Sequence, residues 1–463
     1  MVQRFRVEPP IGKRQRTVYL APGGGEPAEW VSLGRLAEAG PKKEVRLDIS
    51  REHVLSIVGK RGAGKSFTLG SLLEGLCTSE PATAINSISR QRSALLFDTL
   101  NIFQWMVAPV AGDSNSEHVA EQLKLLKQWD LEAVDLDIDL WVPAGYEGGI
   151  AANAKPFRIR TRDMEVSDWA ALLNVDAVQD TMGQLLAVVL DKVTQRGWTD
   201  ADGNEHPAIA DYAIADMLEC LREDQEIAHD YGAETTRAIR QRLTAYEASP
   251  LFGSTGTPLA ELLHPGRLSV LLLSGVPDDI RLVSTFLTIR KLLFARAAAS
   301  EASKNIELGF AEDESERQRM QAIIDGAPPK TWVVIDEAQN VFPSERQTSA
   351  SATLLRFVRE GRNFGLSLAF TTQQPSALDP RILAQVDLQI AHTLTVSKDI
   401  ANVLGNLKAR EPRRIQLRGE ELSGADAIRH LQVGQAFVSC VDAERSFLMD
   451  VRPRTSVHGG FEG

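Results

Sequence analysis

Cysteine is scarce in this 463-residue chain: Cys77, Cys220 and Cys440 lie far apart, with no CxxC spacing. A disulfide framework and a cysteine zinc motif are both excluded. The eight histidines form no HxxxH or HxxEH pair, which removes the usual helical zinc site. No run of about 18 apolar residues occurs, and the opening MVQRFRVEPPIGKRQR lacks the apolar stretch of a secretion signal. These absences set the expectation of a cytoplasmic protein in a reducing compartment, without membrane contact. A surplus of positive charge is missing too. With 51 Lys+Arg against 62 Asp+Glu the formal charge is −11, so the bulk balance does not advertise nucleic acid. Internal repeats and low-complexity tracts are absent as well.

What is present is an ordinary globular composition, 43% hydrophobic and 24% charged, at a length beyond one average domain. Short apolar segments recur: VLSIV (54–58), ALLFD (94–98), SVLLLS (269–274), WVVID (332–336), LSLAFT (366–371), LQIAHT (388–393) and QAFVSC (435–440). Most are bounded by Gly, Pro or Asp and flanked by helical patterns. That predicts an α/β fold with a parallel or mixed sheet covered on both faces.

Four segments are expected. Residues 1–48, with a Gly-Gly-Gly turn at 23–25, read as a short β-rich appendage, too short for an independent barrel. Residues 49–165 and 263–463 form the two parts of the α/β core. Between them, residues 166–262 carry amphipathic helical patterns such as VQDTMGQLLAVVLDKV and read as a helical insertion. Residues 301–330 form a charged excursion, and Met217 and Trp332 are expected in the core.

The string Gly59-Lys60-Arg61-Gly62-Ala63-Gly64-Lys65-Ser66 fits GxxxxGK[ST], with an apolar strand before it and a helical pattern from Phe67 onward. Its glycines let successive N–H groups curl around phosphate oxygens at a positive helix N-terminus. The expected nucleotide-binding set is residues 59–66 with the adjoining Phe67. Lys65 is to reach the β- and γ-phosphates, and the Ser66 hydroxyl to complete a Mg²⁺ shell. A second acidic element is needed, and Asp336-Glu337, after four apolar residues, supplies it. Asp336 is expected to hold Mg²⁺ and Glu337 to act as general base toward water. ATP and Mg²⁺ are thus the expected ligands.

GKRGAGKS, VVIDEAQNVFP and REGRNFGLSLAFTTQQPSALDPRIL together resemble the motif series of the HerA/FtsK superfamily of hexameric DNA-pumping ATPases, closest to its HerA branch. The similarity spans about nine tenths of the chain. It implies a RecA-like P-loop ATPase core with an extra strand, LSLAFTTQ, between the P-loop strand and the acidic strand. It implies Gln373 as a polar sensor near the γ-phosphate and Arg362 as a finger donated to a neighbouring subunit; the alternative for Arg356, Arg359 and Arg362, spaced three apart, is a solvated helix face. Three departures stand out. Gln374 occupies a place where family members often carry Arg, the segment 98–102 lacks the family's acidic Gly-containing loop, and the N-terminal segment is about half the length of the family's barrel. Arg452, Arg454 and His458-Gly459-Gly460 resemble the family tail, which lies across subunits near nucleotide.

The segment 404–418, LGNLKAREPRRIQLR, carries Lys408, Arg410, Arg413, Arg414 and Arg418 against Glu411. It is the candidate DNA contact, with an ordinary solvated loop or an intersubunit ion-pair surface as the alternative. The acidity is localised elsewhere: segments 130–139, 191–230 and 301–325 carry −5, −8 and −4, leaving +6 on the rest. Those acidic stretches are expected on the outside of a ring.

The resemblance therefore implies a homohexameric, Mg-dependent ATPase and helicase-type translocase. It would move or remodel double-stranded DNA with a nuclease or NAD-cleaving effector subunit, in DNA end processing or antiphage defence. The rival is a hexameric ATP-binding scaffold that regulates such an effector with little translocation. A monomeric P-loop kinase or GTPase is disfavoured, because no acceptor site or guanine motif accompanies the P-loop.

Overall fold

The computed structural model describes residues 17–21, 27–37, 43–110, 116–147, 153–311, 313–344, 349–409, 415–417, 420–441 and 446–460. Its main sheet contains, in chain order, β1 (Thr17–Leu20), β2 (Trp30–Leu36), β3 (Glu44–Asp48), β4 (Val54–Val58), β5 (Ser93–Asp98), β6 (Ile138–Pro143), β7 (Lys155–Phe157), β8 (Leu268–Leu272), β9 (Thr331–Ile335), β10 (Leu366–Thr372), β11 (Leu388–Ala391), β12 (Gln435–Cys440) and β13 (Phe447–Val451). Across the sheet they run β1-β3-β2-β13-β12-β11-β4-β10-β9-β5-β8-β6-β7. From β11 to β7 every pairing is parallel, and β12, β13, β2 and β3 join antiparallel.

Every residue of β4, β5, β8, β9, β10 and β11 is buried, which is why these strands read as apolar runs and not as alternations. The period of two still sorts their side chains between two cores. Leu55, Ile57, Leu96, Val270, Trp332 and Val334 face helix α1 (Lys65–Leu76), as predicted for Trp332. Val54, Leu95, Phe97, Leu271, Val333, Ile335 and Phe370 face the opposite core.

That opposite core is shared with residues 166–262, which fold as helices α2 (Val166–Leu173), α3 (Thr181–Asp191), α4 (Ile214–Glu223) and α5 (Ala233–Glu247). Trp169, Leu185 and Met217 pack within the same cluster as the strand residues, so the inserted helices form one body with the sheet. The N-terminal strands likewise do not stand apart. β2 pairs with β13, and Val18, Leu20, Val31 and Leu47 share the core of α1, because short strands bury their apolar faces only against an existing layer. The charged excursion is a helical hairpin: α6 (Asp278–Glu307) runs on into it, and α7 (Glu314–Asp325) packs back with no buried residue.

Strand β10 lies between β4 and β9, as the family resemblance implied for LSLAFTTQ. The C-terminal ends of β4, β10, β9 and β5 therefore sit side by side and carry Gly59, Gln373, Asp336 and Asp98.

Candidate active site

The loop after β4 is a tight turn that only glycine makes cheaply: Gly62 has φ 72° and Gly64, capping α1, has φ 105°. Gly59 is required for a second reason, because a Cβ there would lie 2.8 Å from Cβ of His392. Gly59 N–H donates to the Thr372 carbonyl at 3.2 Å and Lys60 N–H to the Thr393 carbonyl at 2.8 Å, tying the loop to its neighbouring strands. The N–H groups of Gly62, Gly64 and Lys65 meet no protein acceptor among the described residues. Lys60 and Arg61 are exposed, Ala63 is buried, and Ser66 and Phe67 are half-buried. Lys65 is buried, and its ammonium donates to the Lys60 carbonyl at 3.1 Å. Burial pulls its pKa below the usual lysine value, and Glu337 and Asp336 partly offset that.

Asp336 is fully buried at the end of β9. Its Oδ1 accepts a hydrogen bond from Thr371 Oγ1 at 2.6 Å, while Oδ2 has no partner. Burial, followed by the nearby Asp98 carboxylate, pushes its pKa up to about 7. Asp98 is itself raised to about 6 by burial, although it accepts from Leu100 N–H at 3.1 Å and Phe103 N–H at 2.8 Å. Glu337 holds a left-handed conformation, φ 56° and ψ 56°, uncommon for a residue with a side chain and frequent at functional sites. Its N–H donates to Thr371 Oγ1 at 3.0 Å, so one threonine hydroxyl positions both acids. Glu337 Oε1 accepts from Gln373 Nε2 at 2.6 Å and Oε2 from Gln339 Nε2 at 2.7 Å. Gln339 is in turn held by Thr372 Oγ1 at 2.7 Å.

The chain thus brings Lys65, Asp336, Glu337 and Gln373 together. Sequence reasoning missed Gln339, Thr371 and Thr372, although all three lie inside motifs already singled out. It also missed His392, a lone histidine at the end of β11. His392 Nδ1 donates to the Gln435 carbonyl at 2.8 Å, which leaves Nε2 to accept from Thr68 Oγ1 at 2.8 Å. Burial pushes its pKa down to about 4, so a neutral ring braces the underside of the loop.

Arg362 is elsewhere. Its Nη1 pairs with Asp387 Oδ2 at 3.5 Å, beside Val54 at the start of β4, whereas the phosphate loop follows the end of β4. Strand β10 lies between Arg362 and Gln373, about 20 Å of extended chain. Arg356 pairs with Glu360 at 2.8 Å along its own helix, in accord with the solvated-face reading. Lys408 is half-buried and donates to the Leu383 carbonyl at 3.3 Å, while Arg410, Arg413, Arg414 and Arg418 lie outside the described residues.

The first part of the C-terminal tail packs into its own chain. Arg452 and Arg454 are buried within their own chain, both against the fully buried Glu74 of α1, with contacts of 2.8 and 3.2 Å. Glu74 also accepts from Thr455 N–H at 3.1 Å and Ser456 N–H at 2.9 Å. An ionised carboxylate inside α1 needs such partners, and the tail supplies them. His458 then stacks edge-on against Phe67 with ring centroids 5.5 Å apart.

Two features test the fit of a magnesium nucleotide. The unpartnered N–H groups at the start of α1 suit phosphate oxygens, and the orphaned Asp336 Oδ2 suits the hydration shell of a cation. Among the described residues no cluster of three or more His, Cys, Asp or Glu could hold a metal.

A protein-family model described as "Helicase HerA, central domain" matches residues 31–292, and one described as "Zonular occludens toxin (Zot)" matches residues 282–397. The probable DNA double-strand break repair helicase HerA of Methanocaldococcus jannaschii is 23% identical over 203 residues, 42% of this chain and 38% of that protein. The DNA double-strand break repair helicase HerA of Pyrococcus furiosus is 26% identical over 210 residues, 44% of this chain and 37% of that protein. The chain thus spans about four tenths of the length of these relatives. The solved structure of VirB4 of Thermoanaerobacter pseudethanolicus superposes with a TM-score of 0.51 at 16% identity, covering 94% of this chain and 98% of that one.

Proposed function

The chain belongs to the family of the HerA helicase central domain, and from that premise we propose that it is a Mg-dependent ATPase acting as a homohexameric ring on double-stranded DNA. The observation that carries this reading is the convergence of Lys65, Asp336, Glu337 and Gln373 at adjoining strand ends. Bound magnesium, held by Ser66 and Asp336, would neutralise phosphate charge. Lys65 moves from the Lys60 carbonyl to the phosphates. Glu337, oriented by Gln373 and Gln339 at its two oxygens, accepts a proton from water. Arg362, at the other end of the central strands, completes the site of the next copy. A nuclease or NAD-cleaving effector is the partner class, in end processing or defence.

Lys65→Ala is expected to lower ATP turnover at least about 10²-fold, measured by phosphate release; an undiminished rate would refute the site. Lys408, engaged on a carbonyl, favours a second reading in which the ring is an ATP-dependent scaffold for its effector. Turnover measured with and without duplex DNA separates the two. Stimulation lost on neutralising Arg410, Arg413, Arg414 and Arg418 supports the motor, and DNA-independent turnover supports the scaffold.

A further inference from the structure

Asp387 occupies a junction that no sequence motif marks. It immediately precedes β11, and its backbone N–H donates to the Val54 carbonyl at 3.0 Å. Its Oδ1 accepts from Val54 N–H at 3.0 Å, so the carboxylate is fastened to the first residue of the strand that leads into the phosphate loop. Its Oδ2 faces His53 Nδ1 at 3.2 Å and Arg362 Nη1 at 3.5 Å. The His53 ring is buried, and its Nε2 lies 2.8 Å from the Asp48 carbonyl, so this neighbour is itself immobilised. Arg362 is 37% exposed and Asp387 17%, so the guanidinium rests on a rigid anchor in a pair that is partly open to solvent.

We propose that Asp387 is a positioning residue for Arg362, holding the guanidinium at the N-terminal edge of the sheet ready for the nucleotide site of a second copy of this chain. The inference rests on the reading of Arg362 as a residue that acts in trans. A long side chain free in solvent samples many rotamers, and ordering it during the reaction costs entropy. A fixed carboxylate beside it removes part of that cost beforehand. The pair is also partly exposed, and such ion pairs are weak. The anchored guanidinium can therefore meet a phosphoryl group while it stays beside Asp387, which keeps its own bonds to Val54 and His53.

The test uses full-length chains mixed in pairs. Lys65→Ala subunits have a dead phosphate loop and an intact Arg362 edge; Arg362→Ala subunits have the reverse. Asp387→Asn keeps an oxygen for Val54 N–H and loses the charge that faces Arg362. Alone, Asp387→Asn is expected to reduce kcat about ten-fold with KM for ATP little changed. Mixed with Lys65→Ala subunits it is expected to regain turnover, as Arg362→Ala subunits do, and the double variant Arg362→Ala/Asp387→Asn to be no slower than Arg362→Ala. Rescue of Arg362→Ala without rescue of Asp387→Asn overturns the inference, because the residue then serves its own site or its own fold. Turnover equal to or above the unmodified protein overturns it as well. Failure to rescue Arg362→Ala itself overturns the trans reading beneath it. Should Asp387→Asn not fold, Asp387→Glu, which retains the carboxylate one methylene further out, enters the same mixtures with the same criteria.

Discussion

At the scale of single residues, the acids at the end of β9 are opposed by their own surroundings. Asp336 is fully buried, one of its oxygens has no partner, and Asp98 lies near enough to repel it. In the absence of metal its carboxyl keeps a proton up to about pH 7, whereas an unfolded aspartate releases it near pH 4. The native state therefore binds more protons than the unfolded state between those values, and stability falls as pH rises through that window. Asp336→Asn removes the term. The variant is expected to be more stable than the parent by on the order of 3 kcal/mol at pH 8, with a smaller gain at pH 5, in urea unfolding without nucleotide or magnesium. A gain equal at both pH values would contradict this account. Glu337, with its left-handed backbone and two glutamine partners, is held against local preference in the same way.

At the scale of elements, α1 connects the phosphate loop to the end of the chain. Its first residue is Lys65, and two turns on its inner face presents Glu74 to two buried arginines of the tail. Burial works against the Glu74 charge, but the guanidiniums of Arg452 and Arg454 hold its carboxyl below the usual range. Removing one member of such a group leaves the others charged and uncompensated. Glu74→Ala is expected to cost about 3–5 kcal/mol in denaturant unfolding and to make the tail cleavable by protease. A loss under about 1 kcal/mol, nearer to an exposed pair, would show that the tail is held by other contacts. Gly70 is tied to the same cluster, since a Cβ there would lie 2.7 Å from Cζ of Arg454. The acidity of residues 191–230 is partly internal: Lys192 pairs with Asp224 at 3.0 Å and Glu226 at 2.6 Å.

At the scale of the whole molecule, one copy holds a phosphate loop at one end of the central strands and Arg362 at the other, an arrangement that supports the proposed ring if head-to-tail repetition closes on itself. Its size is checked by mass measurement with ATP and Mg²⁺: six copies are expected, and a species that remains monomeric would return the chain to the class of single-subunit P-loop enzymes. The sequence by itself determined the loop 59–66, the Asp336-Glu337 pair, the strand carrying Gln373 and the burial of the central strands. Each of these is a contiguous string whose chemistry or periodicity is local, such as glycines at positive φ or an apolar run that both faces must cover. Only the tertiary structure decided that Asp387 stands beside His53, 334 positions away, that Arg452 meets Glu74 across 378 positions, and that the N-terminal strands and inserted helices share the sheet's cores. Apolar patterning states that a strand is buried, but not which strand lies beside it. Strand order is settled by packing of the whole chain, and it is strand order that chooses the partners of His392, Gln339 and Arg362.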